Sequence, residues 1–267
     1  MQSSSDFLIF DKVTQVFESP DGGEVIALDN FSLNVGDGEF VTVVGPSGCG
    51  KSTLLNLVVG LDKPSSGQIL INGKPAWQQL RNIGYVTQED NLYPWRTLRE
   101  NVEFPLEIRG VAKAERIKRS EELLNKVGLA GFENRYAHQL SGGMRQRGNI
   151  VRALSFDPGL IIMDEPFGPL DAQTRIVLQQ QLLDLWLQDK KTVIFITHDL
   201  QEAIALGDRV VVMTARPGKI RSVYDIKLTR PRDLHHLHDD PEFRTALSDL
   251  WDELADEVSA ANAMGRN

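Results

Sequence analysis

Hydrophobic and polar positions along this chain change their period several times, and the changes divide it into predicted elements. Residues 8–17, 31–35 and 40–44 are short apolar-rich runs punctuated by Gly22-Gly23 and Gly36-Asp37-Gly38, which predicts three strands separated by turns. The third strand runs into GPSGCGKSTLLNLVVG, where Leu54, Leu55, Leu57, Val58 and Val59 mark a buried helix ended by Gly60. A Pro/Ser/Gly turn follows, then a strand at 68–71, an Asn72-Gly73 hairpin signal and a strand at 83–87. From 97 to 153 the pattern is helical, broken at Gly110, Gly128 and 137–140. Strand and helix then alternate over 160–163, 172–188, 192–197, 200–206 and 210–213. Beyond Pro231, Phe243, Leu247, Leu250, Trp251, Leu254 and Val258 share one helical face. The pattern predicts an α/β core interrupted by a helical insertion, with a short helical tail.

Composition narrows the function classes. The chain has 267 residues, enough for one large domain or two modest ones, and carries a formal net charge of -8. No basic excess is available to neutralise phosphodiesters, so a general nucleic-acid partner is excluded. One cysteine, Cys49, rules out an internal disulfide and a multi-thiol metal site within the chain. The opening residues MQSSSDFLIF show no signal-peptide pattern, and no apolar run approaches the ~18 to 20 residues that span a bilayer. Membrane work would need another subunit to supply the span.

The chemistry starts at residues 45–52, GPSGCGKS, which match G-x-x-x-x-G-K-S/T between a predicted strand and a predicted helix. Gly45, Gly48 and Gly50 permit the dihedrals that turn successive N–H groups inward around phosphate oxygens, with Pro46, Ser47 and Cys49 completing the loop. The helix N-terminus at Lys51, Ser52 and Thr53 adds partial positive charge. Lys51 would reach the β- and γ-phosphates of a nucleotide such as ATP, and the Ser52 hydroxyl would ligate Mg²⁺. Cys49 reads as a small loop residue. The run Leu160-Ile161-Ile162-Met163 ends in Asp164 and Glu165, as a strand buried on both faces and ending at a ligand site would. Asp164 would hold Mg²⁺ through water, and Glu165 would orient the attacking water. His198 and Gln88 each follow a predicted strand: His198 would contact the γ-phosphate, and Gln88 would ligate Mg²⁺ and touch the water.

Leu140-Ser141-Gly142-Gly143-Met144-Arg145-Gln146-Arg147 brings in a family. It resembles the signature motif of ABC transporter ATPases, and the order GPSGCGKST, Gln88, LSGGMRQR, LIIMDE, Pro169-Leu170-Asp171, His198 is that family's order, over residues 8–230. The resemblance implies a P-loop NTPase core with an N-terminal antiparallel β subdomain and a helical subdomain inserted at about 89–155. It divides the chain into an ATPase domain at 1–230 and a linker with an amphipathic helix at 231–267. It further implies a head-to-tail dimer with a second ATPase subunit, identical or paralogous, in which Ser141, Gly142, Gly143 and Gln146 of one copy meet the ATP of the other. Asp171 would connect the two sites. Phe17 would stack on adenine or serve the core. Pro169, Gly148 and Asn149 depart from the family pattern, the last two weakening their helix locally.

Residues 88–95, QEDNLYPW, and 163–175, MDEPFGPLDAQTR, are similar to the nitrate/sulfonate/taurine importer branch, as are Arg109-Gly110-Val111, Gly131-Phe132-Glu133 and the Arg216-Pro217-Gly218-Lys219-Ile220 turn. That resemblance implies an integral-membrane permease, an extracytoplasmic solute-binding protein and a place on the cytoplasmic face of the membrane. Tyr93, Pro94 and Trp95 are either a permease-facing surface or ordinary loop packing. The tail helix either docks on the core, meets the partner chain or senses a ligand, and His235, His236 and His238 read as solvated. A soluble ABC ATPase in an assembly or repair complex is the alternative.

Overall fold

The computed structural model describes residues 6–19 and 22–264, with side chains described to residue 257, so the expectation for Val258 lies outside the described side chains. The chain opens with β1 (Asp6–Glu18) and β2 (Glu24–Gly36), followed by β3 (Phe40–Val44) and α1 (Lys51–Val58). β4 (Ser66–Ile71), β5 (Lys74–Pro75) and β6 (Ile83–Val86) lead to three helices, α2 (Leu98–Ile108), α3 (Lys113–Lys126) and α4 (Gly142–Leu154). The remainder alternates as β7 (Leu160–Asp164), α5 (Ala172–Asp189), β8 (Thr192–Ile196), α6 (Leu200–Leu206) and β9 (Arg209–Met213). It closes with β10 (Ile220–Asp225) and α7 (Pro241–Met264). Among the described residues no helix is long and apolar enough to cross a membrane.

Two sheets result. The antiparallel sheet has the order β2-β1-β4-β5, its last hairpin closed by Asn72 and Gly73, both at positive φ (53° and 73°), as a type I′ turn requires. The second sheet has the order β10-β9-β3-β8-β7-β6, parallel except for β10. Its central strands are apolar at nearly every position because both faces are covered. Period two then sorts them: Phe40, Met163 and Phe195 face the core under α5 and α6, while Val41, Ile162 and Ile194 face α1 and the antiparallel sheet. Helices α2 to α4 hold a separate apolar cluster around Leu98, Val102, Leu124 and Val151. The α/β class with an antiparallel β unit and a helical insertion is therefore the observed one.

The register of the parallel sheet creates the site. Val43 of β3 and Asp164 of β7 both pair with Ile196 of β8, so the three strands end level and release their loops on one edge.

Three findings differ from the sequence expectations or go beyond them. β10 follows the expected turn at 216–220, starting at its last residue, and was not expected; as an edge strand its polar residues Arg221 and Asp225 obscured the strand signal. Trp251 does not share the buried face of the tail helix, where Phe243 and Leu250 are buried, and is 64% exposed. Gly148 and Asn149 now have a packing reason. A Cβ on Gly148 would lie 2.6 Å from Leu98 Cδ1. Asn149 is fully buried; its Nδ2 donates to the Thr87 carbonyl (3.4 Å) and its Oδ1 accepts from Arg152 (2.7 Å).

The tail docks through specific contacts. Arg232 Nη1 donates to the carbonyls of Ile204, Ala205 and Gly207 (3.0, 2.9 and 2.8 Å), closing the open end of α6. Glu253 of α7 accepts from Tyr224 Oη (2.6 Å) and Ser222 Oγ (2.8 Å) of β10, and Glu257 accepts from the Ala215 N–H (2.7 Å). His236 Nδ1 lies 2.8 Å from Asp233 Oδ2, and His238 packs edge-on against Phe243.

Candidate functional site

The loop between β3 and α1 is built by its glycines. Gly48 and Gly50 sit at φ 76° and 98°, and a Cβ on Gly50 would come within 2.8 Å of the Ala27 carbonyl. No side-chain cap closes α1 at its N-terminus, which leaves its first N–H groups open to an anion. Lys51 Nζ donates to the Gly45 carbonyl (2.7 Å) and the Pro46 carbonyl (3.0 Å), which keeps the ammonium at the loop. Cys49 is buried, and burial pushes its thiol up despite the nearby Lys51, as suits a loop residue rather than a reactive thiol. Ser47, Gly48, Gly50, Lys51, Ser52 and Thr53 line a cavity of about 330 Å³ together with Phe17, Ala27, Glu165 and Arg216. Phe17 stands at its rim, 38% exposed, and not in the core.

The carboxylates arrive from β7. Burial pushes the Asp164 carboxyl up, the charge of Glu165 adds to the shift, and Lys51 opposes it. A cation would relieve both carboxylates, and the oxygen donors of Ser52, Gln88 and Asp164 are the hard kind Mg²⁺ takes. Glu165 adopts φ 42°, an uncommon left-handed conformation for its residue type. Two backbone bonds hold it there: its N–H donates to the Ile196 carbonyl (2.9 Å), and its carbonyl accepts from the Gly168 N–H (3.1 Å). Its Oε2 lies 3.0 Å from His198 Nδ1. A Cβ added to Gly168 would sit 3.7 Å from Gln88 Nε2 and 4.0 Å from Glu165 Oε2, so Gln88 and Glu165 approach one point. The strand ends thus bring the lysine loop, Asp164, Glu165, His198 and Gln88 together.

The signature segment lies elsewhere. Ser141 caps α4, its Oγ accepting from the Met144 N–H (3.3 Å), and Gly142 is exposed. Gly143 is the close-packing glycine: a Cβ there would meet Thr174 Cγ2 of α5 at 2.9 Å. Gln146 is 4% exposed, its Nε2 has no hydrogen-bond partner, and it borders a groove with Gln88, Gly142, Pro169 and Leu170. Asp171 caps α5, with Oδ1 accepting from the Thr174 N–H (3.0 Å), and that bond holds its carboxyl below the ordinary range. None of Ser141, Gly142, Gly143, Gln146 or Asp171 lines the cavity of the lysine loop. A more enclosed cavity of about 190 Å³ between α3, α5 and β7 contains none of the expected site residues.

Sequence reasoning missed Arg216, which lines the loop cavity. Its turn is held against the loop: Gly218 N–H donates to the Ala27 carbonyl (2.9 Å), and a Cβ on Gly218 would fall 2.0 Å from the Cys49 carbonyl. The Pro-Gly pair signalled a turn, but nothing local tied that turn to a loop far earlier in the chain.

Comparisons with known proteins agree with this arrangement. Residues 28–168 match the family model described as ABC transporter. An uncharacterized ABC transporter ATP-binding protein of Methanocaldococcus jannaschii is 48% identical over 93% of this chain and 91% of its own. An aliphatic sulfonates import ATP-binding protein of Bacillus cereus is 46% identical over 79% of this chain and 82% of its own. A taurine import ATP-binding protein of Roseobacter denitrificans is 41% identical over 92% and 94%. A dimeric ATP-binding cassette solved in a post-hydrolysis state with ADP and Pi superposes with a TM-score of 0.74 at 35% identity, covering 83% of this chain and all of that one. With its lysine loop, strand-end carboxylates and signature helix, this chain belongs to the ABC transporter family as one of its ATP-binding, ATP-hydrolysing subunits.

Proposed function

We propose that this chain powers import of a small solute of the nitrate, sulfonate or taurine kind through a partner membrane permease. The observation that carries the hydrolytic part is the His198–Glu165 pair, 3.0 Å apart beside the Lys51 cavity. The names of the sulfonate and taurine relatives support the importer reading. The ATPase unit is taken as 1–230, with 231–267 as its docking tail.

Each residue then has a role. The N–H groups of Ser47 to Thr53 and the Lys51 ammonium bind the phosphates of ATP, and Phe17 packs on its base. Ser52, Gln88 and Asp164 hold Mg²⁺, which supplies neutralising charge to the phosphates when bound. Glu165 accepts a hydrogen bond from the attacking water and aims it at the γ-phosphate. His198 meets Glu165 through Nδ1 and faces the γ-phosphate with its other nitrogen. Ser141 and Gly142 are exposed, Gln146 borders a separate groove and Gly143 packs against α5; together they complete the site of a second ATPase subunit, and Asp171 lies between the two sites. ATP-dependent closure of that pair drives the permease, and Glu165-dependent hydrolysis reopens it. Tyr93 and the 71% exposed Trp95 form part of the permease-facing surface on the cytoplasmic side. An extracytoplasmic solute-binding protein delivers the solute from the other side.

The test is purification of the tagged Glu165→Gln chain with ATP from detergent-solubilised membranes of its native host. A multi-span permease should co-purify. Recovery of soluble partners alone, from a preparation that retains other membrane complexes, would refute the reading.

A further inference from the structure

Helix α6 starts two residues after His198, and its first turn carries a carboxyl that the proposed mechanism leaves unused. Glu202 is 5% exposed, enclosed between α6, α5 and the end of β8. Its Oε1 accepts from Gln179 Nε2 of α5 at 2.8 Å, and its carboxyl lies beside the Thr197 hydroxyl. Thr197 immediately precedes His198, and its Oγ1 accepts from the Asp199 N–H at 3.0 Å. Asp199 immediately follows His198; it caps α6 and pairs with Arg175 Nη1 of α5 at 3.4 Å. Arg175 in turn donates from Nη2 to the Leu170 carbonyl at 3.0 Å. The residues on both sides of His198 are therefore fixed by buried or half-buried polar bonds that lead to α5. The His198 side chain itself is 68% exposed.

Burying a carboxyl is costly, and an apolar side chain would fill a core position at less cost. The position of Glu202 makes sense if its hydrogen bonds serve the neighbouring strand end. We propose that Glu202 is a positioning residue for ATP hydrolysis: held by Gln179, its carboxyl fixes Thr197 and so sets the direction in which His198 meets Glu165. The inference rests on the role given to His198 above. The charged groups that bear on Glu202 are Asp199 at the head of its own helix and Arg175 on α5. On the α7 side, Arg244 and Asp252 line the groove beside Leu200 and Gln201. On the β3 side, Thr42 donates to the Ala203 carbonyl.

The test compares steady-state hydrolysis by the purified full chain in five variants: Glu202→Gln, Glu202→Ala, Gln179→Leu, His198→Ala and the double variant Glu202→Ala/His198→Ala. Binding of a fluorescent ATP analogue and thermal melting accompany each. Glu202→Ala should lower kcat roughly tenfold while KM and analogue affinity stay within about twofold. Glu202→Gln, which can accept from Gln179 and bond to Thr197 without charge, should restore kcat to within about twofold. In the double variant the Glu202 change should cost nothing beyond His198→Ala, because both act through one group. If Glu202→Ala does not fold, Gln179→Leu tests the same link and should lower kcat in the same way. Full kcat in Glu202→Ala beside an inactive His198→Ala would overturn this inference alone, as would multiplicative losses in the double variant. Wild-type kcat in His198→Ala would overturn the role of His198 and this inference with it.

Discussion

His198 Nδ1 lies 3.0 Å from Glu165 Oε2, joining the ends of two adjacent parallel strands. The contact is possible because Glu165 turns out of β7 at positive φ while β8 ends at Ile196, two residues before His198. Two backbone bonds hold that turn, so the carboxylate is aimed before any substrate arrives. Pre-aimed groups need little rearrangement during reaction, which is where electrostatic and general-base catalysis gain their advantage.

Lys51→Ala should abolish tight ATP binding without unfolding the chain. The ammonium that now bonds the Gly45 and Pro46 carbonyls is a fixed cation of the loop cavity, which Arg216 also lines. A charge-assisted bond contributes about 1.5–3 kcal/mol, so affinity should fall roughly ten- to a hundredfold. Equilibrium binding of a fluorescent ATP analogue checks this, with melting as the control for folding.

Gly218→Ala should damage the loop from a distance. The added Cβ would lie 2.0 Å from the Cys49 carbonyl and 2.9 Å from Met213 Cε, so the backbone of one turn must shift. A loss of about 1–3 kcal/mol in stability is expected, together with weaker ATP binding. Gly73→Ala provides the contrast, since nothing lies within 4 Å of its Cβ position; its cost should come from φ alone. Denaturant unfolding of the two variants measures the difference.

Arg232→Ala should free the end of α6. The guanidinium is buried and bonds three carbonyls that the helix end leaves unpaired. Leaving them without a partner should cost about 2–4 kcal/mol. Hydrogen exchange should rise first in 200–207 and in α7, which packs on it. Unchanged protection there would refute the capping role.

Glu202 gives stability a pH signature. Burial raises its carboxyl from 4.5 to about 7. Because the folded value lies above the unfolded one, the folded chain holds the proton that the unfolded chain has lost between those values. The stability this group contributes is therefore full below about 4.5, falls as pH rises through that window and is gone above about 7. The full shift corresponds to about 3 kcal/mol. Glu202→Gln should melt higher than wild type at pH 8, and the gap should shrink toward pH 5. A gap independent of pH would contradict the assignment.

Much of this architecture was legible in the sequence because its signals are local. Residues 40–44, 160–163 and 192–196 are largely apolar runs, and each leads into its functional residues. Asn72-Gly73 specified its turn through backbone freedom alone. The features that escaped depend on tertiary contact. β10 is an edge strand with little apolar pattern, and the Gly218–Cys49 approach joins segments far apart in the chain. Glu202 reads as an ordinary polar helix position, and its burial comes from α5 and β8 closing over it. Trp251 has the spacing of the buried face, yet the docking of α7 leaves it in solvent. The meeting of the signature helix with a lysine loop was implied by resemblance, and within one chain the two remain on separate surfaces.

The central claim is that Glu165 directs the attacking water while the loop around Lys51 binds ATP independently. Phosphate release by purified wild-type and Glu165→Gln chains, with ATP-analogue affinity measured on the same samples, tests it most directly. Turnover should fall about a hundredfold or more in Glu165→Gln, with analogue affinity unchanged. Undiminished phosphate release from Glu165→Gln would contradict it.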